Sequence, residues 1–332
     1  MKKKGLCLIG IVILVVTMMG QVLGAEIEWQ WFGYQPATDR VNLLYKEFAK
    51  EILSSSNGRF KITVYGPGEL PYTAADGVKI TSTNKVQMAD AAVGFVSRDV
   101  PELDVFSLPF FVTSFDDYFK AVEKVGYIYN DVLRKRFNVD LYLHWTNPSQ
   151  NFWTKKPIKT LEDFKGMKIR IWNPNQVTIL KNFGGTPVSI TSAEVVPALQ
   201  RGVIDGAITS ALSVSDWKMY EVVSNGLLVD YMIGSQFIIY NIDEFNKLPK
   251  DLQQLFLEKG KEFYLRLKKA TPEFEMQARE NLLKHGMQFH KLPPGDFQKA
   301  RNMMKPMWDE WLSKNGPVAR KLFDGVSEAL HK

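Results

Sequence analysis

Among the residues able to do chemistry, Arg170 has the most informative surroundings. It stands in the run Lys168-Ile169-Arg170-Ile171-Trp172-Asn173-Pro174. Alternation puts Met167, Ile169 and Ile171 on one face of a short strand, with Lys168, Arg170 and Trp172 on the other. Asn173 followed by Pro174 marks a helix start, and Gly184-Gly185 a helix end. Arg170 thus lies near the carboxyl end of a strand and just before a helix. Open α/β sheets bind ligands there, and the free N–H groups of a helix N-terminus favour an anion. A guanidinium grips a carboxylate through two parallel hydrogen bonds. The chemistry indicated is carboxylate capture. The same pattern also fits a half-exposed strand with Lys168 and Arg170 in water. Trp172, about 7 Å along the same face, either walls a pocket or covers a core.

Other chemistries find less support. His144, His285, His290 and His331 lack the spacing of a zinc site. No G-x-S-x-G elbow occurs. Ser215-Asp216-Trp217-Lys218 matches S-x-x-K, but the companion S-D-N and K-T-G are missing. Gly66-Pro67-Gly68 does not complete a dinucleotide fingerprint, because Pro71 replaces the last glycine. No two carboxylates are singled out as an acid–base pair. We expect no catalytic residue, no metal and no cofactor.

The elements that position Arg170 follow from the rest of the chain. Residues 1–25 open with three lysines, continue as an apolar core and end on small residues, the pattern of a secretory signal peptide. Cys7, the single cysteine, lies inside it, so the mature chain is expected to lack any thiol. Losing three of 42 basic residues leaves 39 against 36 acidic, near +3, with no nucleic-acid footprint. The remaining length suffices for two lobes.

A strand at 26–32 places Ile27, Trp29 and Trp31 on one face. Thr38 or Asp39 caps a helix to about Ser54. Strands near 60–64 and 86–93 flank a helix at 74–83, giving a β-α-β-α-β order and a mainly parallel sheet. Its cleft lies near Tyr34 and Phe95, with core packing the alternative for both aromatics. A helix at 116–136 and strands at 139–145 and 152–156 lead into the central segment. Within it Thr191 and Glu194 fit a capping box. A strand at 236–241, opened by Gln236, returns to the first lobe. A long helix at about 250–285, kinked or broken at Pro272, is placed to brace both lobes. Helices at 296–314 and 318–330 finish the chain.

The run KIRIWNP, then GTPV, then SAEVVPALQRGVIDG resembles the central segment of DctP-type solute-binding proteins of tripartite ATP-independent periplasmic (TRAP) transporters. GELP at 68–71, LPFFV at 108–112 and KLPKDLQQ at 247–254 extend the resemblance over nearly the whole mature chain. It implies a two-lobed α/β binding protein with interleaved lobes and a hinge. The expected division is 26–147 with 236–274 for the first lobe, and 148–235 with 275–332 for the second. The resemblance implies a periplasmic monomer that captures a small organic carboxylate and delivers it to TRAP membrane subunits.

The family's main arginine falls on Arg170. Gln150 stands where some members carry a second arginine, and Thr209 where an asparagine often meets ligand. Asn173, Trp172, Tyr34, Phe95 and Gln236 complete the expected ligand contacts, with helix capping as the main role of Asn173. Phe32, Trp153 and Trp217 are further aromatic candidates for the cleft. With one charge fewer at Gln150, a monocarboxylate with an aromatic or indolyl body is expected. A sensor subunit of the same fold and a serine hydrolase acting through Ser215 are the alternatives.

Overall fold

The computed structural model describes residues 25–35, 39–173 and 175–331. The expected leader, apart from Ala25, falls outside them, as do Thr38 and Pro174. In chain order the elements are β1 (Ile27–Phe32), α1 (Arg40–Ser55), β2 (Phe60–Tyr65), α2 (Gly77–Ser82), β3 (Met88–Ala92), α3 (Val93–Val96), α4 (Phe115–Phe137) and β4 (Val139–Thr146). The second lobe adds β5 (Gln150–Thr154), β6 (Lys168–Ile171), α5 (Asn175–Asn182), β7 (Thr186–Ser189), α6 (Ser192–Gln200), β8 (Gly206–Thr209), α7 (Ala211–Asp216) and β9 (Asn225–Met232). Then follow β10 (Ser235–Asn241), α8 (Ile242–Lys247), α9 (Lys250–Lys284), β11 (Gln288–His290) and α10 (Pro294–Ala329).

Two sheets form. One has the order β2-β1-β3-β10-β4, the other β11-β9-β5-β8-β6-β7. In the first, β1 pairs in parallel with β2 and β3, as the β-α-β-α-β order requires. β10 departs from the parallel pattern, running antiparallel to both β3 and β4. Alternation in β1 buries Trp29 and Trp31 while Glu28 and Gln30 stay exposed. Asp39 caps α1 by accepting from the Val41 N–H, and Val41, Tyr45, Phe48 and Ile52 line the buried face. Tyr45 stacks on Trp31, and Phe48 on Phe263 of α9, with centroids 4.5 and 4.7 Å apart.

The chain passes between the sheets three times, once through α8 and α9 from β10 to β11, and twice by short direct links, from β4 to β5 and from β9 to β10. These strands pair antiparallel on each side of the crossing, Ser235 against Thr146 and Gln150 against Met232. Between them the Asn147 N–H donates to the Gly234 carbonyl at 3.1 Å. Two adjacent short links are the geometry of a hinge.

α9 runs through Pro272 without interruption and reaches both lobes. Phe256, Phe263 and Leu267 pack under the first sheet, and Ala278 and Leu282 join Trp153 and Leu199 in the second lobe. Gly260 admits the Tyr142 ring, which lies 2.4 Å from where a Cβ would stand. Beyond Pro272, Arg279 donates to Ser149, Asp230 and Glu275. Asn151 Oδ1 accepts from the N–H groups of Val229 and Asp230. This polar knot ties the brace to both hinge strands of the second lobe.

α10 makes contacts on both sides of the cleft. Its start belongs with the second lobe, where Asp296 accepts from the Leu161 N–H. Further along, Trp308 and Trp311 donate to the carbonyls of Pro109 and Pro101, and the helix packs against α4 of the first lobe. Gly316, at φ 70°, breaks α10 into the two expected helices.

Glu275 is 2% exposed and also accepts from the Leu212 N–H. Burial pushes its carboxyl up to about 7 from 4.5, against the pull of Arg279. The folded state therefore holds this proton more tightly than the unfolded chain. Its contribution to stability is present below about pH 4.5 and declines as pH rises to about 7. Glu275→Gln removes that dependence. The melting temperature of the native protein relative to the Gln variant should fall across this window, as read by calorimetry; a constant difference would contradict it.

Candidate functional site

Arg170 sits on β6, between β7 and β8, paired in parallel with Val188 and Ala207. Its Nε donates to the Ile190 carbonyl at 2.9 Å and its Nη1 to the Ile208 carbonyl at 3.2 Å. These carbonyls fix the guanidinium, which is 4% exposed. Burial lowers its pKa from 12.5 to about 10, so it stays charged at neutral pH. No carboxylate among the described residues forms an ion pair with it. It lines a cavity of about 370 Å³ between the two lobes.

The first lobe supplies Tyr34, after β1, and Phe95, on α3. Tyr34 meets Phe95 edge-on at 5.4 Å, and Phe95 lies 6.0 Å from Trp172 across the cleft. The three rings form one wall drawn from both lobes. Phe95 is 37% exposed, so the core-packing alternative does not hold for it. Trp172 donates through Nε1 to Gln150 Oε1 at 3.1 Å, and Gln150 Nε2 donates to the Pro148 carbonyl. Gln150 thus lines the cavity while orienting the indole. Thr209 lines it too, at the end of β8. Its carbonyl accepts from Trp153 Nε1 at 2.9 Å.

Several expected contacts stand elsewhere. Gln236 is fully buried behind Tyr34 and does not line the cavity. Its Nε2 donates to Tyr34 Oη at 2.7 Å and to Asp90, while Oε1 accepts from Asn147. It positions Tyr34 and partners a buried carboxyl that burial pushes well above its ordinary range. Asn173 accepts from the Asn175 N–H at 2.8 Å, the capping role expected of it. Its Nδ2 approaches Gly94 of the first lobe, where a Cβ would leave only 3.2 Å. Phe32 and Trp153 are core residues, 1% and 0% exposed, because their strands point them inward. Trp217 does line the cavity.

Ser215 does not have the surroundings of a nucleophile. Its Oγ accepts from Asn281 of α9 at 2.9 Å, and no histidine lines the cavity among the described residues. His144 is enclosed by Phe106, Tyr118, Tyr129 and Phe237, and burial lowers its pKa to about 3. It is a neutral core residue. Among the described residues no cluster of metal-ligating side chains occurs.

The sequence reading missed Asp39 and Asp216 as cavity residues, together with Ser210 and Ser213. Asp39 had a sufficient local role as a cap. Asp216 lay inside the S-x-x-K match, and nothing in the spacing joined it to Asp39.

Residues 33–315 match the model of the family described as bacterial extracellular solute-binding protein, family 7 (DctP). A solute-binding protein of Albidiferax ferrireducens is 28% identical over 84% of this chain and 83% of its own. The sialic acid-binding periplasmic protein SiaP of Vibrio cholerae is 25% identical, over 83% and 86%. The crystal structure of DctP6, a Bordetella pertussis extracytoplasmic solute receptor binding pyroglutamic acid, superposes with a TM-score of 0.82 at 25% identity, over 91% and 99%.

Replacing Gln236 tests its place in this arrangement. Gln236→Leu takes the amide donor from the buried Asp90 and leaves Tyr34 Oη with Gln35 Nε2 as its remaining amide donor. Unmet buried polar groups cost about 1–3 kcal/mol. Urea unfolding should show a loss of that size; an unchanged midpoint would refute the positioning role.

Proposed function

This chain belongs to the bacterial extracellular solute-binding proteins of family 7, the DctP-type receptors of TRAP transporters, and we propose that it captures a small organic monocarboxylate in the interlobe cleft. The observation that carries this reading is the buried Arg170 guanidinium, which lines the cavity without a counter-charge. A buried charge costs several kcal/mol unless it is paired, and an incoming carboxylate supplies the partner. Arg170 is the one cationic side chain lining the cavity among the described residues. Gln150 has its amide engaged with Trp172 and Pro148. One carboxylate therefore fits better than two. The relatives support the size and charge: sialic acid and pyroglutamic acid, named for two of them, each carry a single carboxylate.

The body of the ligand is apolar and aromatic in this reading, lying against Tyr34, Phe95 and Trp172. Rings in such contacts gain about 0.5–1.5 kcal/mol beyond area burial. Thr209 and Gln150 add polar contacts. A secretory leader at residues 1–25 would place the protein in the periplasm, and the closed, loaded form would dock on TRAP membrane subunits. Closure by the hinge is favoured because ligand touches both lobes.

Arg170→Ala leaves the ligand carboxylate unpaired, at a cost of about 3–5 kcal/mol, or about a hundredfold to several thousandfold in Kd. Arg170→Lys should restore binding only in part, since an ammonium lacks the fork. A thermal-shift panel of aromatic monocarboxylates, dicarboxylates and sugar acids would find the ligand, and calorimetric titration would measure the variants. Normal affinity in Arg170→Ala would overturn the reading.

Closure has its own measurement. Small-angle scattering should show a smaller radius of gyration at ligand saturation with unchanged circular dichroism, because lobes move as bodies. Identical scattering profiles would count against a hinge.

A further inference from the structure

The cavity has a second charged end that a simple carboxylate does not use. Asp39, on the first lobe, and Asp216, the last residue of α7 on the second, line it together with Arg170. Arg40 is the ion-pair partner of Asp216, its Nη2 standing 3.5 Å from Oδ1. That is a long contact between side chains 37% and 31% exposed, so solvent weakens it. Asp39 spends one oxygen on the Val41 N–H. Burial raises both carboxyls above their ordinary range, and the proximity of Asp216 adds to the rise at Asp39. Two carboxylates thus share one guanidinium at this end. At the other end Arg170, 4% exposed, has no counter-charge.

We propose that the ligand is a zwitterion, with its carboxylate on Arg170 and a cationic nitrogen between Asp39 and Asp216. This rests on the carboxylate reading above and narrows its substrate class. A plain anion neutralises Arg170 and leaves the acidic end in excess by one charge. A molecule carrying both charges on one small apolar body balances the two ends at once. Because Asp39 and Asp216 belong to different lobes, a cation between them also relieves their mutual repulsion when the lobes approach. Trp217, next in the chain to Asp216, lines the same cavity, and an indole attracts a cation placed over its face.

Matched pairs differing only in the cationic nitrogen test this on the purified protein: phenylalanine against 3-phenylpropionate, proline against cyclopentanecarboxylate, and 4-aminobutyrate against butyrate. Titration calorimetry should show at least one zwitterion binding tenfold or more tighter than its partner. Asp216→Asn, and separately Asp39→Asn, should shrink that ratio to about threefold or less. The ratio compares two ligands on one protein, so a general loss of folding does not mimic the result. If every anion binds as well as its zwitterion, or the ratio survives both variants, the acidic end is not a cation site. If the anions bind and Arg170→Ala abolishes it, the carboxylate reading stands while this inference falls. If no zwitterion of any pair binds while a plain anion of the thermal-shift panel does, this inference falls alone.

Discussion

A guanidinium held away from water by two backbone carbonyls is the constraint on which the cleft depends. Carbonyl dipoles satisfy the hydrogen-bonding directions of Arg170 Nε and Nη1 but supply no negative charge. The carbonyls come from Ile190, after β7, and Ile208, on β8, the strands flanking β6. Sheet order therefore fixes the charge in position before any ligand arrives. Such preorganisation lowers the cost of binding, because the long side chain has already lost its rotamer freedom. The same arrangement explains why the arginine remains cationic. A shift to about 10 leaves it fully protonated under ordinary conditions.

The brace and the crossing strands connect that local site to both lobes. α9 packs its first half under the first sheet and its second half in the second lobe. Glu275 reaches from α9 to the backbone of α7, and Arg279 reaches Ser149 and Asp230 at the hinge strands. α7 carries Leu212, Ser213 and Asp216 into the cavity wall. One polar knot therefore connects the cavity floor, the crossing strands and the helix spanning both lobes. A half-buried ionic network of this kind is a weak source of stability. Its strict geometry suits it to holding relative positions.

Local patterns made much of this legible in the sequence. The alternation around Arg170 and the helix start after it are nearest-neighbour signals, and β6 and α5 appeared where they pointed. Tyr34 and Phe95 were placed at a cleft from strand order alone, and they meet there. β9 was not recognised. It opens on Asn225-Gly226, a pair that reads as a turn. Gly226 is needed for another reason: the Trp153 ring lies 2.5 Å from where its Cβ would stand. That close approach joins residues 73 positions apart and has no local signature. The same holds for Asp39 and Asp216, whose meeting is a product of the hinge. Gln236 was placed at the cleft by its strand, yet its side chain turns to Asp90, a preference no alternation rule encodes.

The aromatic wall and the charged group act in opposite senses on the empty cleft. Bringing Phe95 toward Trp172 removes apolar surface from water and favours closure at about 25 cal/mol per Å². Bringing the lobes together also strips solvent from Arg170 and crowds Asp39 against Asp216, which opposes it. Without ligand these contributions oppose one another. In the proposed reading, a carboxylate on Arg170 removes the desolvation cost of the guanidinium and adds its own surface to the wall, while the crowding of Asp39 and Asp216 is relieved only by a cation. Differential affinity for the closed state is all that a population shift requires. It arises here from a charge the fold leaves unpaired and an aromatic wall the fold divides between its lobes.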